Sequence, residues 1–272
     1  MSTAFEKVQG LGNDFVLLDA RRHPALVSPQ TARRLCDRRL GIGADGVLTL
    51  LPPRGPAAAG LHIYNADGSE AEMCGNGLRC AARLLLEERG AATVQVETAA
   101  GARECRLEGG EVRIEVGKAE VAPTEKVAVG GETVEGQAVS VGNPHFVIFG
   151  GGDEERVRRL GPLLERHPRF APARTNVELC ERTPEGLRVA VWERGSGLTL
   201  ACGTGAAAAA AAAVQRGLLS AGKEWTVDLP GGRLHVEVAA GSSVSLRGPA
   251  VRVYRGEIEL GAEELGPPPG RP

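Results

Sequence analysis

The sequence predicts an α+β protein made of two homologous halves, each a sheet wrapped around one central helix. Three observations carry this. Segments recur in the same order: Gly12-Asn13-Asp14-Phe15-Val16 is matched by Gly142-Asn143-Pro144-His145-Phe146-Val147, and Glu72-Met73-Cys74-Gly75-Asn76-Gly77 by Leu200-Ala201-Cys202-Gly203-Thr204-Gly205, at offsets of 130 and 128 residues. Ordered self-similarity of this kind marks a duplicated unit. Short runs that alternate apolar and polar residues outnumber helical patterns. Eight consecutive alanines, 206–213, form a helix with almost no side chain, which suits close packing inside a surrounding sheet.

The elements follow in order. Residues 28–41 open on Ser-Pro, continue as an arginine-rich helical pattern and stop at Gly41; 153–161 is the counterpart, opened by acidic residues. His62-Ile63-Tyr64, Thr93-Val94-Gln95-Val96-Glu97, Val112-Arg113-Ile114-Glu115-Val116 and Leu187-Arg188-Val189-Ala190-Val191-Trp192 have strand character. The helix after Cys74 spans 78–88; the alanine helix after Cys202 stops at Gly217. Residues 101–118 and 232–249 alternate and are broken by glycines, the pattern of hairpins. Pro123 lies in the best linker, 118–126, so the halves are read as 1–119 and 120–260. Whether the C-terminal segment joins the first half stays open. The tail 261–272, rich in Pro and Gly, is expected to be loose.

A chain of 272 residues with 42% apolar residues can bury a sizeable core, and a net charge of -2 makes no electrostatic case for nucleic acid or an anionic membrane. The N-terminus lacks the plan of a signal peptide, and apolar runs fall short of the ~18 residues of a membrane span. The expected partner is a small molecule and the expected compartment the cytoplasm. The five histidines are scattered without ligand spacing, so no metal is expected. Without a Cys-x-x-Cys pair the six cysteines read as reduced thiols, with Cys36, Cys80, Cys105 and Cys180 as small core residues.

Cys74 and Cys202 differ: a glycine frame sets each sulfur at the mouth of a helix. A helix N-terminus carries about half a positive charge and orphan N–H groups, so it stabilises a thiolate, drawing the thiol pKa down toward neutral pH, and binds a carboxylate. One nucleophilic cysteine makes a covalent intermediate. Two matched thiols suit inversion of a carbon acid, one removing a proton from one face and the other returning a proton to the opposite face. Repulsion between thiolates favours one ionised and one neutral sulfur. Backbone N–H groups of Gly75, Asn76, Gly203 and Thr204 are placed to stabilise the developing carbanion. A pyridoxal cofactor needs a Schiff-base lysine, and Lys7, Lys118, Lys126 and Lys223 lie in no motif, so cofactor-independent chemistry is the reading.

At this point the chain resembles the diaminopimelate epimerase family over nearly its whole length. The ordered set is Gly10-Leu11-Gly12-Asn13-Asp14-Phe15, Gly41-Ile42-Gly43-Ala44-Asp45-Gly46, Asn65-Ala66-Asp67-Gly68-Ser69, Met73-Cys74-Gly75-Asn76-Gly77, Gly142-Asn143-Pro144-His145, Arg174-Thr175-Asn176-Val177-Glu178, Glu193-Arg194-Gly195 and Ala201-Cys202-Gly203-Thr204-Gly205. The resemblance implies two similar α+β domains, each a mixed, barrel-like sheet around a central helix, with the active site in the interdomain cleft. It implies interconversion of LL- and meso-diaminopimelate without a cofactor, in the route to lysine and peptidoglycan. Cys74 and Cys202 would be base and acid, with His145 and Glu193 as auxiliary groups. Asn13, Asn65, Asn143, Asn176, Glu193 and Arg194 would bind substrate, and the Arg194 fork suits a second carboxylate. Gly46 departs from members that carry Gln there.

Other readings stay open at this stage. The four asparagines equally suit turns, His145 a structural role, and Glu193 with Arg194 an exposed ion pair. A homodimer is left open. Proline racemase and hydroxyproline epimerase are the nearest rivals, although those enzymes typically read Cys-Gly-His-Gly where this chain has Asn76. A thiol redox protein is the rival from another class.

Overall fold

The computed structural model describes every residue except 1, 23–25, 152, 262–263 and 267–272. Its contacts divide the chain into two compact units, 1–114 with 249–272, and 115–248. The first break thus lies a few residues before the position read from the linker. The strand Val251–Glu259 belongs with the first unit rather than the second half, because it pairs antiparallel with Ser2–Gly10 and satisfies that strand's second edge.

In the first unit, Ser2–Gly10 turns back on Asn13–Asp19 through Leu11 and Gly12, both at positive φ (57° and 80°), the backbone of a tight two-residue hairpin. Asn13–Asp19 crosses through helix α1 (Pro29–Cys36) to the parallel strand Gly46–Leu51. Ser28 caps α1 by accepting from the Thr31 N–H, with Pro29 in the first turn where no donor is lost. Ala59–Asn65 returns antiparallel, then helix α2 (Gly75–Arg89) crosses to the parallel strand Thr93–Thr98 and its hairpin partner Gly101–Glu108. Residues 15–18 and 46–50 are buried on both faces, as parallel strands covered by helices must be. Val16, Leu18 and Val47 form a cluster with Leu35 of α1, whereas Leu48 reaches Gly77 of α2. Strands from Ser2–Gly10 through Gly101–Glu108 pack around α2.

The second unit repeats this order. A hairpin of Glu120–Val129 and Glu132–Ser140 leads to Pro144–Phe149. That strand crosses through helix α3 (Glu154–Glu165), capped by Asp153, to the parallel strand Asn176–Thr183. Gly186–Glu193 returns antiparallel, and helix α4 (Gly203–Gln215) crosses to the parallel strand Glu224–Leu229. Parallel neighbours need such crossovers, which is why helices alternate with strands at the same points of both units. Every residue of α4 from Gly203 to Ala213 is buried, and strands from Glu120–Val129 to Ser243–Gly248 pack against it. The predicted α+β class, a sheet around one central helix in each of two repeats, is the fold observed.

The expectation of a loose tail is corrected for its described part. Leu265–Gly266 pairs with Leu26–Val27, and Glu264 accepts hydrogen bonds at its carbonyl from Ser28 N–H and Thr31 Oγ1 while pairing with Arg34 at 2.7 Å. These bonds to α1 supply the order that Pro-Gly composition conceals; residues 267–272 lie outside the described residues. No described helix is long and apolar enough to cross a membrane.

Candidate active site

Each central helix starts on its cysteine. Cys74 and Cys202 are both extended (φ -138°, ψ 110° and φ -119°, ψ 112°), and each sulfur accepts from the N–H three residues on, Gly77 at 3.4 Å and Gly205 at 3.3 Å. Sulfur here fills the place that a serine or aspartate oxygen usually takes as N-cap. The glycines are sterically required. A Cβ on Gly77 would stand 2.9 Å from Leu48 Cδ2, and one on Gly205 2.8 Å from Glu178 Oε1. The first-turn amides at Gly75, Asn76, Gly203 and Thr204 hold the position from which a helix start binds an anion.

Around Cys74 the structure gathers Asn13 and Asn76. Asn13 Nδ2 donates to Asp45 Oδ2 at 3.0 Å, which turns Asn13 Oδ1 toward Asn76 Nδ2 (3.2 Å) and Cys74 Sγ (3.9 Å). The hairpin at Leu11-Gly12 delivers Asn13 to this point. Asn65 stands at the end of its strand, exposed, with Nδ2 donating to Ser69 Oγ at 3.0 Å. Gly46 has no space for the Gln of other members on this backbone, since a Cβ would lie 2.6 Å from the Tyr64 carbonyl oxygen.

Asp14, next to Asn13, is locked by Lys7 (2.6 Å) and Arg38 (2.7 Å). Burial pushes its carboxyl up, but the hydrogen bonds from Arg38 and Lys7 outweigh this and bring it from 3.8 to about 2. A carboxyl whose folded pKa is depressed stabilises the protein above its unfolded value and loses that stabilisation as pH falls toward the folded one. Asp14→Asn is therefore expected to melt lower at neutral pH and to flatten the loss of Tm between about pH 4 and pH 2. Melting curves over that range check it; parallel wild-type and variant curves would refute it.

Around Cys202 the field is different. Cys202 Sγ lies 3.4 Å from Thr204 Oγ1, which accepts from Asn143 Nδ2 at 3.2 Å. His145 lies between Glu178 Oε1, 2.7 Å from Nδ1, and Asn143 Oδ1, 2.9 Å from Nε2. His145 and Glu178 side chains are completely buried. Glu193 accepts from Thr199 Oγ1 at 2.5 Å and is hydrogen-bonded to Cys202; burial, first of all, raises its carboxyl above the usual range. Burial, then the carboxylates of Glu193 and Glu178, push the Cys202 thiol well above its ordinary value. The expectation that a helix end draws the pKa of this thiol down toward neutral pH is thus reversed for Cys202. Desolvation and two buried acids outweigh the helix dipole.

The auxiliary groups divide accordingly: Glu193 meets the sulfur, while His145 reaches it only through Asn143 and Thr204. Asn176 is buried, its Nδ2 donating to the Pro144 carbonyl and its Oδ1 accepting from Arg194 N–H, which makes it a brace between two site segments. Arg194 is exposed, with Nη1 on the Ala173 carbonyl at 2.7 Å. Sequence reasoning gave no role to Glu178 or Arg79. The signal for Glu178 is an acid inside the apolar run Val177 to Cys180; Arg79 sits five residues after Cys74 in a helix that is buried there. All six cysteines are free, and burial pushes Cys36, Cys80 and Cys105 up to about 12. Among the described residues no group of His, Cys, Asp and Glu is disposed to hold a metal ion.

A duplicated strand–helix–strand unit with a thiol capping each central helix is the epimerase type of fold. A predicted epimerase from Pseudomonas aeruginosa superposes with a TM-score of 0.75 at 20% identity, over 95% of this chain and 100% of that one. A hydroxyproline epimerase from Agrobacterium vitis gives 0.71 at 16% identity, over 94% and 92%. The diaminopimelate epimerase family model matches residues 5–122 and 137–253, one segment per repeat. Diaminopimelate epimerases of Synechocystis sp. and Pseudomonas aeruginosa are 43% and 42% identical, each over 96% of this chain and 100% of the relative. This chain belongs to the diaminopimelate epimerase family.

Proposed function

We propose that this chain is an isomerase that interconverts LL- and meso-diaminopimelate without a cofactor, in the synthesis of lysine and peptidoglycan precursors, with Cys74 and Cys202 exchanging the α-proton. The observation that carries the reading is the cysteine N-cap repeated on both central helices, with matching dihedrals and matching sulfur to amide distances. The thiolate of one cysteine takes the α-proton, and the thiol of the other protonates the opposite face. Acid and base catalysis supplies ~10²–10⁴-fold; the amides of Gly75, Asn76, Gly203 and Thr204 supply the rest by holding the substrate carboxylate as charge spreads onto it. Glu193 receives the Cys202 proton when that sulfur acts as base, a role suited to a carboxyl raised by burial. Asn13, Asn65 and Asn143 orient the amino-acid head, Asn176 positions the loop that carries Arg194, and the Arg194 fork takes the distal carboxylate.

The test is hydrogen exchange in D₂O with LL-diaminopimelate, meso-diaminopimelate, lysine, proline and hydroxyproline in parallel. Deuterium is expected at the inverted α-carbon of diaminopimelate, and neither proline nor hydroxyproline is expected to exchange. Turnover of proline alone would move the chain to the racemase branch of the fold.

A further inference from the structure

Within the second unit, helix α3 ends on Glu165, a carboxylate whose side chain is 5% exposed and whose two oxygens are taken by three donors. Arg174 Nη1 reaches Oε1 at 2.9 Å and the Gly195 N–H donates to the same oxygen at 3.1 Å, while Trp192 Nε1 donates to Oε2 at 2.8 Å. The Trp192 indole is seated against Gly161, one turn earlier in α3, where a Cβ would stand 2.5 Å from the ring. Arg174 holds φ 59°, a backbone that residues with side chains seldom adopt and that persists only where surrounding contacts impose it. Those contacts are the Phe170 carbonyl, which accepts from the Arg174 N–H at 2.7 Å, and Glu165 on the guanidinium.

We propose that Glu165 is the positioning residue of the turn that carries Arg194, and that through this turn it sets how tightly the distal carboxylate of the substrate is held. Residues 194–196 connect the strand Gly186–Glu193 to its antiparallel partner Gly197–Thr199, outside the ladder that pairs Glu193 with Gly197. Arg194 therefore depends on the contacts of the turn itself. Its backbone N–H donates to Asn176 Oδ1 at 2.8 Å and its Nη1 to the Ala173 carbonyl at 2.7 Å, so its side chain is aimed by the segment 173–176. Glu165 Oε1 joins that segment, through Arg174, to the turn, through Gly195. Glu193 is held independently, by the ladder and by Thr199 Oγ1 at 2.5 Å. Loss of Glu165 thus loosens binding at Arg194 and leaves the acid beside Cys202 in place. A neutral amide is no substitute: a glutamine that keeps its oxygen toward Gly195 and Arg174 turns its NH₂ onto the Trp192 N–H, so that two donors face each other.

This rests on the reading of Arg194 as the clamp for the distal carboxylate, and its test has one arm that needs no substrate. The full chain is compared as wild type, as Glu165→Gln, and as Glu165→Gln with Trp192→Phe. Steady-state epimerisation of LL-diaminopimelate gives KM and kcat, and hydrogen-exchange mass spectrometry follows the peptide that spans 192–197. Glu165→Gln is expected to raise KM roughly tenfold, the effect of losing a hydrogen-bonded brace, with kcat within about twofold of wild type. Exchange at the turn speeds up in parallel. Adding Trp192→Phe removes the opposing donor and restores most of both, a recovery that general destabilisation does not produce. Arg174→Met, a change at a half-exposed side chain, raises KM by about threefold with faster exchange at the same turn, and decides the matter if Glu165→Gln does not fold. An unchanged KM, a fall in kcat at constant KM, unchanged exchange, or no recovery in the double variant overturns the proposal. Faster exchange at the turn without diaminopimelate turnover by the wild type faults the functional reading and leaves Glu165 as the residue that holds the turn.

Discussion

On the two-thiol reading, Cys74→Ala and Cys202→Ala are each expected to lower epimerisation by about 10²–10⁴-fold, the range that a lost acid or base commands. The loss is chemical rather than structural. Removing an N-cap costs typically ~1 kcal/mol, and both helices are buried over their first turns, so the variants stay folded. The informative readout is exchange without inversion. With one sulfur left, deuterium enters the α-position of only one stereoisomer, the one whose proton faces that sulfur, and the product keeps its configuration. Chiral separation and mass spectrometry after incubation in D₂O measure both properties at once. Full interconversion by either variant removes the two-thiol mechanism, and exchange into both stereoisomers by a single-cysteine variant does the same.

His145→Ala is the substitution with the largest expected effect on stability. It strips the partner from Glu178, whose second oxygen already has none among the described residues, and leaves a carboxylate in a fully buried setting. Breaking such a pair by removing one member costs about 3–5 kcal/mol, more than the pair contributes as a whole. A double substitution, His145→Ala with Glu178→Gln, is expected to be more stable than His145→Ala alone, because a neutral amide is far cheaper to bury than an unpaired charge. Denaturant unfolding of the single and double variants, read as a double-mutant cycle, gives the coupling directly. A double variant as unstable as the sum of its parts would mean that His145 and Glu178 act independently. Activity is expected to fall in step, since His145 is hydrogen-bonded to Asn143, which donates to the Thr204 hydroxyl beside Cys202.

Several features were legible before any coordinates. The Ser-Pro start of α1, the glycine frames at Gly77 and Gly205 and the alanine helix each encode a local backbone or steric demand, and the structure meets each where the residues call for it. The C-terminal strand was not legible as part of the first unit, because pairing with Ser2–Gly10 joins residues about 250 positions apart and leaves no local mark. Nor was the hold of α1 on Glu264, which a tail rich in Pro and Gly disguises.

The asparagines show the same division. Their presence was read from the motifs, but whether each faces ligand or braces backbone depends on partners that only folding supplies. Asn13 is aimed by Asp45, while Asn176 spends both ends of its amide on Pro144 and Arg194.

From the amino-acid order alone came the duplication, the two thiols at helix starts and the family, since each is written in neighbouring residues whose spacing is itself the message. Tertiary structure alone decided the charge around Cys202, with two buried acids beside it. The reason is that a local field depends on burial and on groups that chain neighbours do not reveal.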